Sequence, residues 1–192
     1  MRIIGGACAG LILDAPKGLG VRPTPDLVRQ AVFNSLAGRV LDARALELFG
    51  GTGALSLESL SRGAATATCI ELSAKHARFI EQNFAATRLP PATFQVRVQD
   101  VFTALPQLSA SAAQFDLILA DPPFGEKNVG RRSTSLSQRL LDNEDLPNLL
   151  APDGLFVLGH TKRDTLTITT AWEEMKEMKH GDSMMRFLRR SS

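Results

Sequence analysis

Ala45-Leu46-Glu47-Leu48-Phe49-Gly50-Gly51-Thr52-Gly53 is the stretch that decides the fold of this chain. Residues 45 to 49 read as a short buried strand, and the three glycines that follow turn the backbone sharply out of it. A helical pattern then runs from Ala54 to Arg62 and is closed by Gly63. A strand passing through a glycine turn into a helix is the opening unit of a parallel α/β sheet. The unpaired N–H groups at such a helix start suit a polar or anionic ligand.

The same alternation continues on both sides of that unit. Downstream, Thr66 to Glu71 is a second strand, and Ser73 caps a helix that runs to about Arg88, where Pro90-Pro91 breaks it. Thr93 to Val98 is a third strand, followed by a short helix from Val101 to Leu108, and Phe115 to Ala120 is a fourth strand. A helix through Leu140 to Leu150 is expected next. Pro152-Asp153-Gly154 then turns into a fifth strand at Leu155 to Gly159. Leu166 to Thr170 and Met184 to Arg190 are read as two late strands with the polar segment Trp172 to Gly181 between them. Having no crossover helix, these two pair as an antiparallel hairpin at the sheet edge.

Upstream, Arg2-Ile3-Ile4 and Leu11-Ile12-Leu13 flank Gly5-Gly6 and Gly10 as an N-terminal hairpin. Thr24 reads as an N-cap with Pro25 at the first helical position, and the helix ends near Gly38. The expected fold is α/β, a mostly parallel seven-stranded sheet with helices on both faces. Residues 1–40 are expected to form a hairpin-and-helix extension packed on a single globular unit of residues 41–192.

Composition narrows the class. With 44% apolar and 22% charged residues, the chain resembles an ordinary globular protein. Neither a membrane-spanning stretch nor a charged-then-apolar leader is seen. Cys8 and Cys69 lack metal-ligand spacing and read as buried thiols of a reducing compartment, so a cytoplasmic location and no bound metal are expected. The net charge of +2 leaves a polyanionic partner open. Its distribution is more telling. Lys127, Arg131, Arg132 and Arg139 oppose only Glu126 in one segment, and Arg2, Lys17, Arg22, Arg29, Arg39 and Arg44 outnumber Asp14, Asp26 and Asp42 in another.

In an open parallel sheet, ligands bind beyond the carboxyl ends of the strands. Four features fall there. The first is the glycine turn Gly50-Gly51-Thr52-Gly53. Glu71 ends the second strand about twenty residues on, where an acid commonly accepts both hydroxyls of a ribose. Asp100 ends the third strand, placed for an adenine amino group, with Val101 offering its amide. Asp121-Pro122-Pro123-Phe124 follows the fourth strand. Each acid alone also fits a helix cap or an exposed charge. Four at successive strand ends favour a nucleoside cofactor.

The Asp-Pro-Pro-Phe segment has chemistry of its own. Two prolines can neither continue a sheet nor enter a helix interior, so they form a stiff extended edge with carbonyls free to accept. The Asp121 carboxylate adds an acceptor and Phe124 a flat apolar face, a set that suits a planar group bearing an NH2. A Pro-rich turn without function is the plain alternative.

The glycine turn lacks the third glycine of a dinucleotide fingerprint, since Ser56 stands three residues after Gly53, and no Walker sequence is present. Glu47 to Gly53 instead resembles the motif of class I S-adenosylmethionine-dependent methyltransferases, which are Rossmann-like. In that resemblance Glu47 helps hold the methionine amino group. Asp121 to Phe124 resembles the signature of methyltransferases acting on exocyclic amines of nucleobases. With Arg2-Ile3-Ile4-Gly5-Gly6, Arg22-Pro23-Thr24, Val28-Arg29 to Phe33-Asn34 and Leu55 to Ala64, the chain looks like a member of the RsmD family, most clearly before residue 125.

The resemblance implies an enzyme that methylates the N2 amine of a guanine in 16S ribosomal RNA, acting on the RNA or an assembling 30S subunit; a monomer is the simplest expectation. It assigns catalysis to Asp121, Pro122, Pro123 and Phe124. S-adenosylmethionine falls to Glu47, Phe49, Gly50, Gly51, Gly53, Glu71, Leu72, Asp100, Val101 and Asp121. RNA falls to Arg22, Thr24, Arg29, Lys127, Arg131 and Arg132. The chain departs from the family in carrying Ala9 and Leu11 where hairpin arginines are usual, which removes phosphate contacts. It also has Glu47 and Gly50-Gly51-Thr52 for the usual Asp and Ala-Gly-Ser, and no tyrosine for base stacking.

Other readings of the motif are an adenine or cytosine amino-methyltransferase of DNA or RNA, a protein glutamine methyltransferase (which more often begins the motif with Asn), and a non-catalytic RNA-binding protein that keeps the fold. His76, His160 and His180 show no partner in sequence and read as structural or surface residues.

Overall fold

The structure is a computed structural model, and it describes residues 1–15, 24–123, 128 and 131–191. Two compact units divide the chain, Met1–Ala104 and Leu105–Ser192.

In the first unit, β1 (Arg44–Leu48), β2 (Thr66–Glu71) and β3 (Phe94–Val98) lie parallel in the order β3-β2-β1. Leu48 pairs with Ile70, and Glu71 with Val98, so the strand ends that carry the glycine turn and Glu71 lie side by side. Helix α1 (Asp26–Leu36) turns Val28, Val32, Phe33 and Leu36 inward. Helix α2 (Ala54–Ser61) is buried at all eight positions. Side chains such as Leu46, Leu57, Ile70 and Ile80 are fully withdrawn from water, each stabilising the fold by about 1.5–3 kcal/mol. Helix α3 (Ala74–Thr87) starts as expected, with Ser73 Oγ accepting the amide of His76. Helix α1 begins one residue later than expected. Pro25 takes the cap position.

The N-terminal hairpin forms through the antiparallel bridge Arg2 to Ile12 and the bonds Ile3 N to Leu11 O and Gly10 N to Ile3 O. The backbone at Gly6 is left-handed, and a Cβ there would collide with the Ser61 carbonyl. The Gly5-Gly6 pair thus lets the hairpin lie directly on the end of α2.

In the second unit, β4 (Phe115–Ala120), β5 (Leu150–Thr161), β6 (Trp172–His180) and β7 (Ser183–Arg190) are ordered β4-β5-β7-β6. β4 and β5 are parallel, and β7 runs antiparallel to both β5 and β6. The seven strands of the sheet among the described residues and its antiparallel end agree with the sequence reading. Helix α4 (Val101–Ala110) leads toward β4.

Three expectations change here. The helix over Leu140 to Leu150 is instead α5 (Leu136–Leu141), then a 3-10 turn at Leu146–Leu149. Asn143 Oδ1 accepts the amides of Asp145 and Leu146, and Pro147 has no N–H for an α-helical ladder. Pro152-Asp153-Gly154 is not a turn before β5. It lies inside the strand, where the pairing register with β4 shifts between Phe115 and Leu117.

Leu166 to Thr170 is not a strand either. Gln138 exchanges side-chain bonds with the Thr167 backbone, and Thr169 Oγ1 donates to the Leu141 carbonyl, tying this stretch to α5. The polar segment from Trp172 forms the edge strand instead. Cross-strand ion pairs of Arg189 with Glu173, and of Arg186 with Glu174 and Glu177, hold it against β7. Charges on an edge strand also discourage pairing with another chain.

Candidate active site

Glu47 lies on β1 just before the glycine turn, and its use differs from the expected one. Its carboxylate faces inward and accepts the amides of Leu55 (3.2 Å) and Ser56 (2.9 Å), closing the N-terminus of α2. Cys69 Sγ donates to it at 3.6 Å. Burial pushes Glu47 up to about 7 against the pull of these bonds, and burial beside that carboxylate likewise keeps the Cys69 thiol protonated. With 3% of the residue exposed, this acid shapes the turn from beneath rather than gripping a ligand amine.

The turn itself is tight for a stated reason. A Cβ on Gly50 would collide with Cys69 Sγ and lie 3.4 Å from Glu71 Cβ, and one on Gly53 would lie 2.7 Å from Ile80 Cγ2. Gly51 and Gly53 are left-handed, at φ 58° and 74°. Phe49 is too, at φ 61°, a conformation costly for a residue with a side chain, and its ring meets Phe102 edge-on at 6.2 Å. Such strain concentrates where ligands bind. Asn83, which the sequence did not single out, donates to the carbonyls of Thr52 and Asp14 and accepts the Asp14 amide, joining the turn to the N-terminal segment.

Glu71 ends β2 as expected. Its Oε2 accepts the Gly51 amide at 2.7 Å and its Oε1 the Ser73 amide at 2.8 Å, with His76 Nδ1 at 3.4 Å from Oε1. The carboxylate has about four acceptor directions, so it keeps capacity for ribose hydroxyls. Leu72, beside it, is 68% exposed, an apolar surface of the kind an adenine ring covers. Asp100 is exposed and caps α4 through the Thr103 amide at 3.1 Å, and Val101, the first residue of that helix, is buried. The alternative use of such an acid, as a helix cap, is therefore realised at Asp100.

In the second unit, Asp121 follows β4 and is half-buried, Pro122 is buried and Pro123 exposed. The Asp121 carboxylate lies over Gly159 of β5: a Cβ at 159 would collide with Oδ1 and stand 3.0 Å from Cγ. Ala120 pairs with Leu158, so Asp121 and Gly159 are the next lateral neighbours. Gly159 had no signal in the sequence beyond being a glycine in a strand. Beyond it His160, 2% exposed, takes a bond from Arg186 Nε, and burial and that guanidinium lower its pKa.

Arg29 is corrected outright as an RNA contact. It is completely buried, donating to the carbonyls of Thr24 and Arg2 and to Asp26, with Glu58 Oε2 at 3.8 Å from its Nε. A buried guanidinium needs this density of partners, and Glu58 in turn accepts the amides of Ile4 and Gly5. Thr24 is buried as well. Arg131 is exposed, and Arg132 is exposed while paired with Asp142 at 2.7 Å. Arg22, Phe124 and Lys127 lie outside the described residues. Among the described residues no cluster of His, Cys, Asp and Glu is placed to hold a metal, and no helix is long and apolar enough to cross a membrane.

A sterically required glycine turn, a carboxylate with spare acceptor capacity one strand away and an exposed apolar side chain beside it fit the aminoacyl, ribose and adenine portions of S-adenosylmethionine. Solved structures match this chain along its length. The Escherichia coli protein yhhF, whose name proposes a methyltransferase, matches with a TM-score of 0.80 and 28% identity, covering 100% of this chain and 98% of its own. A hypothetical protein of Thermus thermophilus matches with a TM-score of 0.79 and 27% identity, covering 98% and 99%. Fold and site together define a class I methyltransferase that uses S-adenosylmethionine.

Sequence relatives narrow the class. Ribosomal RNA small subunit methyltransferase D of Escherichia coli (strain K12) is 33% identical over 100% of this chain and 91% of its own length. The protein of that name from Haemophilus influenzae is 30% identical over 94% and 89%. The model of the family described as Conserved hypothetical protein 95 matches residues 1–189, and the chain belongs to this family, the RsmD family of the sequence resemblance.

Proposed function

We propose that this enzyme transfers a methyl group from S-adenosylmethionine to the exocyclic N2 amine of a guanine in 16S ribosomal RNA. The observation that carries the reading is the acceptor edge Asp121-Pro122, whose carboxylate is seated over a glycine, in a chain related over its full length to small-subunit rRNA methyltransferases.

The amine of guanine is a poor nucleophile because its lone pair is delocalised into the ring. The Asp121 carboxylate and the Pro122 carbonyl each accept one of its N–H bonds, which favours a pyramidal nitrogen with its lone pair directed outward. When bound, S-adenosylmethionine supplies a methyl carbon made electrophilic by its sulfonium. Asp121 stabilises the positive charge that develops on nitrogen and takes the proton that the methylated amine sheds. Catalysis is mainly alignment, and the stiffness of Pro122-Pro123 serves it. The target base is unstacked to reach this edge and is held against Phe124.

Glu71 holds the ribose hydroxyls, Gly50, Gly51 and Gly53 pass beneath the cofactor, and Phe49 and Leu72 flank it. Asp100, with its remaining acceptor capacity, and the Val101 amide read the adenine. Glu47 contributes through the turn it supports. Arg22, Lys127, Arg131 and Arg132 contact the RNA, and residues 1–40 act as a substrate-facing extension of the catalytic domain. The partner is 16S rRNA or an assembling 30S subunit, met by a cytoplasmic monomer.

The test is incubation with labelled S-adenosylmethionine and either naked rRNA or 30S particles from cells lacking this protein, followed by mapping of the modified base. A methyl on a guanine N2 of 16S rRNA is the expected result. Label on an adenine or cytosine amine, or none in an enzyme that S-adenosylhomocysteine stabilises thermally, overturns the assignment.

A further inference from the structure

We infer that Gly159 and Ser137 are positioning residues for Asp121: the missing side chain at 159 is the slot into which the catalytic carboxylate folds, and Ser137 fixes the strand that provides the slot. The inference rests on the role of Asp121 proposed above. In a parallel pair, lateral neighbours project to the same face of the sheet. Asp121 and Gly159 are such neighbours, one step past the pair Ala120 and Leu158. A Cβ at 159 would occupy the place of Asp121 Oδ1 and lie 3.0 Å from Cγ and 3.3 Å from Cα of that residue.

The strand has no freedom to retreat from an added methyl group. The buried Ser137 Oγ donates to the Gly159 carbonyl at 3.1 Å. Gly159 and His160 are in register with Met185 and Met184 of β7. On the opposite face, His160 Nε2 accepts from Arg186 Nε at 3.0 Å, while its Nδ1 lies 2.9 Å from the Thr161 carbonyl and 3.1 Å from that of Asp164. Gly159 itself has no left-handed backbone to explain its identity. The accommodation falls on the Asp121 side chain, which must rotate to a new rotamer and carry its acceptor oxygen away from the amine.

The decisive measurement is a double-mutant cycle on kcat with rRNA substrate, in wild-type, G159A, D121N and the double variant, with S-adenosylhomocysteine affinity measured alongside by calorimetry. Displacement of a reacting group by about 1 Å costs up to about a hundredfold, so G159A is expected to lower kcat about ten- to a hundredfold. Cofactor affinity should stay within about twofold of wild type, since the added methyl group displaces only the Asp121 carboxylate, whose proposed partner is the target amine. In the D121N background the same change should cost less than about twofold, because residues acting as a unit are non-additive.

Equal losses in both backgrounds would show a general packing effect and overturn the inference, as would a G159A enzyme with unchanged kcat. Full turnover by D121N would instead overturn the role of Asp121 itself, so the two failures are distinguishable. If G159A does not fold, S137A takes its place in the cycle. It should lower kcat about three- to tenfold in wild type and leave D121N unchanged, and additivity there is equally fatal.

Discussion

The two units use carboxylates in opposite ways. In the first, Glu47 and Glu71 are 3% and 7% exposed and spend their lone pairs on backbone amides of the turn, of α2 and of Ser73. In the second, Asp121 is half-buried and is accommodated by the absence of a side chain at 159. A carboxylate braced by amides makes a rigid frame that still has a lone pair to offer. One seated over a glycine beside two prolines is placed by the shape of its surroundings, and it is the acceptor on which the proposed mechanism relies.

The sharpest way to break that comparison is Asp121→Ala. On the proposed mechanism it lowers methylation by about a thousandfold or more while S-adenosylhomocysteine binding stays measurable, read by label incorporation and calorimetry. Retained turnover ends the distinction between frame and acceptor.

Glu47 tests the frame through pH. Its folded-state pKa of about 7 lies above the unfolded value of 4.5, so the native state binds the proton more tightly. Its contribution to stability is full below pH 4.5, falls as pH rises through the window to about 7, and is then constant. The loss is at most about 3 kcal/mol. Denaturant titrations at several pH values should show that Glu47→Gln flattens this part of the profile. A wild-type enzyme that gains stability over the same window from this residue would contradict the burial argument.

Arg29→Met separates structure from RNA binding. Removing this buried guanidinium leaves the carbonyls of Thr24 and Arg2 without their donor, while Glu58 keeps Arg62 and two amides, at a cost of about 1–3 kcal/mol visible as a fall in Tm. The salt dependence of RNA binding should keep its slope, since no phosphate contact is lost. A slope reduced by one charge would return Arg29 to the RNA surface. The smallest effect is expected at Glu71→Gln, which keeps the shape but loses charge-assisted bonds. S-adenosylhomocysteine affinity should fall about tenfold with the Tm little changed.

Much of the frame was readable because its signals are local. The strand, turn and helix around Glu47 to Gly63, β2, β4 and the Ser73 cap follow from apolar runs, glycines and a capping serine within a few residues of one another. The misreadings share a different cause. Trp172 to His180 looks like a polar connector because its strand character comes from pairing with β7 and from charge pairs with Arg186 and Arg189, nine to sixteen residues away. Leu166 to Thr170 looks like a strand until side chains of α5 claim its backbone.

The candidate site divides along the same line. Asp121-Pro122-Pro123 and the glycine turn announce themselves through residue types whose backbone limits are intrinsic. Arg29 looks like any other arginine of a basic stretch, and nothing local reveals the carbonyls of Thr24 and Arg2 or the carboxylate of Glu58 that enclose it. Glu47 matches a cofactor motif by position, yet its direction is set by the amides of Leu55 and Ser56.

By itself the sequence determined the class of fold, the strand ends that carry the candidate site and the residue types available there, because periodicity, glycine and proline act through the nearest few bonds. Only the tertiary structure decided which of those side chains face a ligand and which are consumed as internal partners. Burial and hydrogen-bond competition depend on neighbours that the chain brings together from far apart, as Gly159 is brought beneath Asp121.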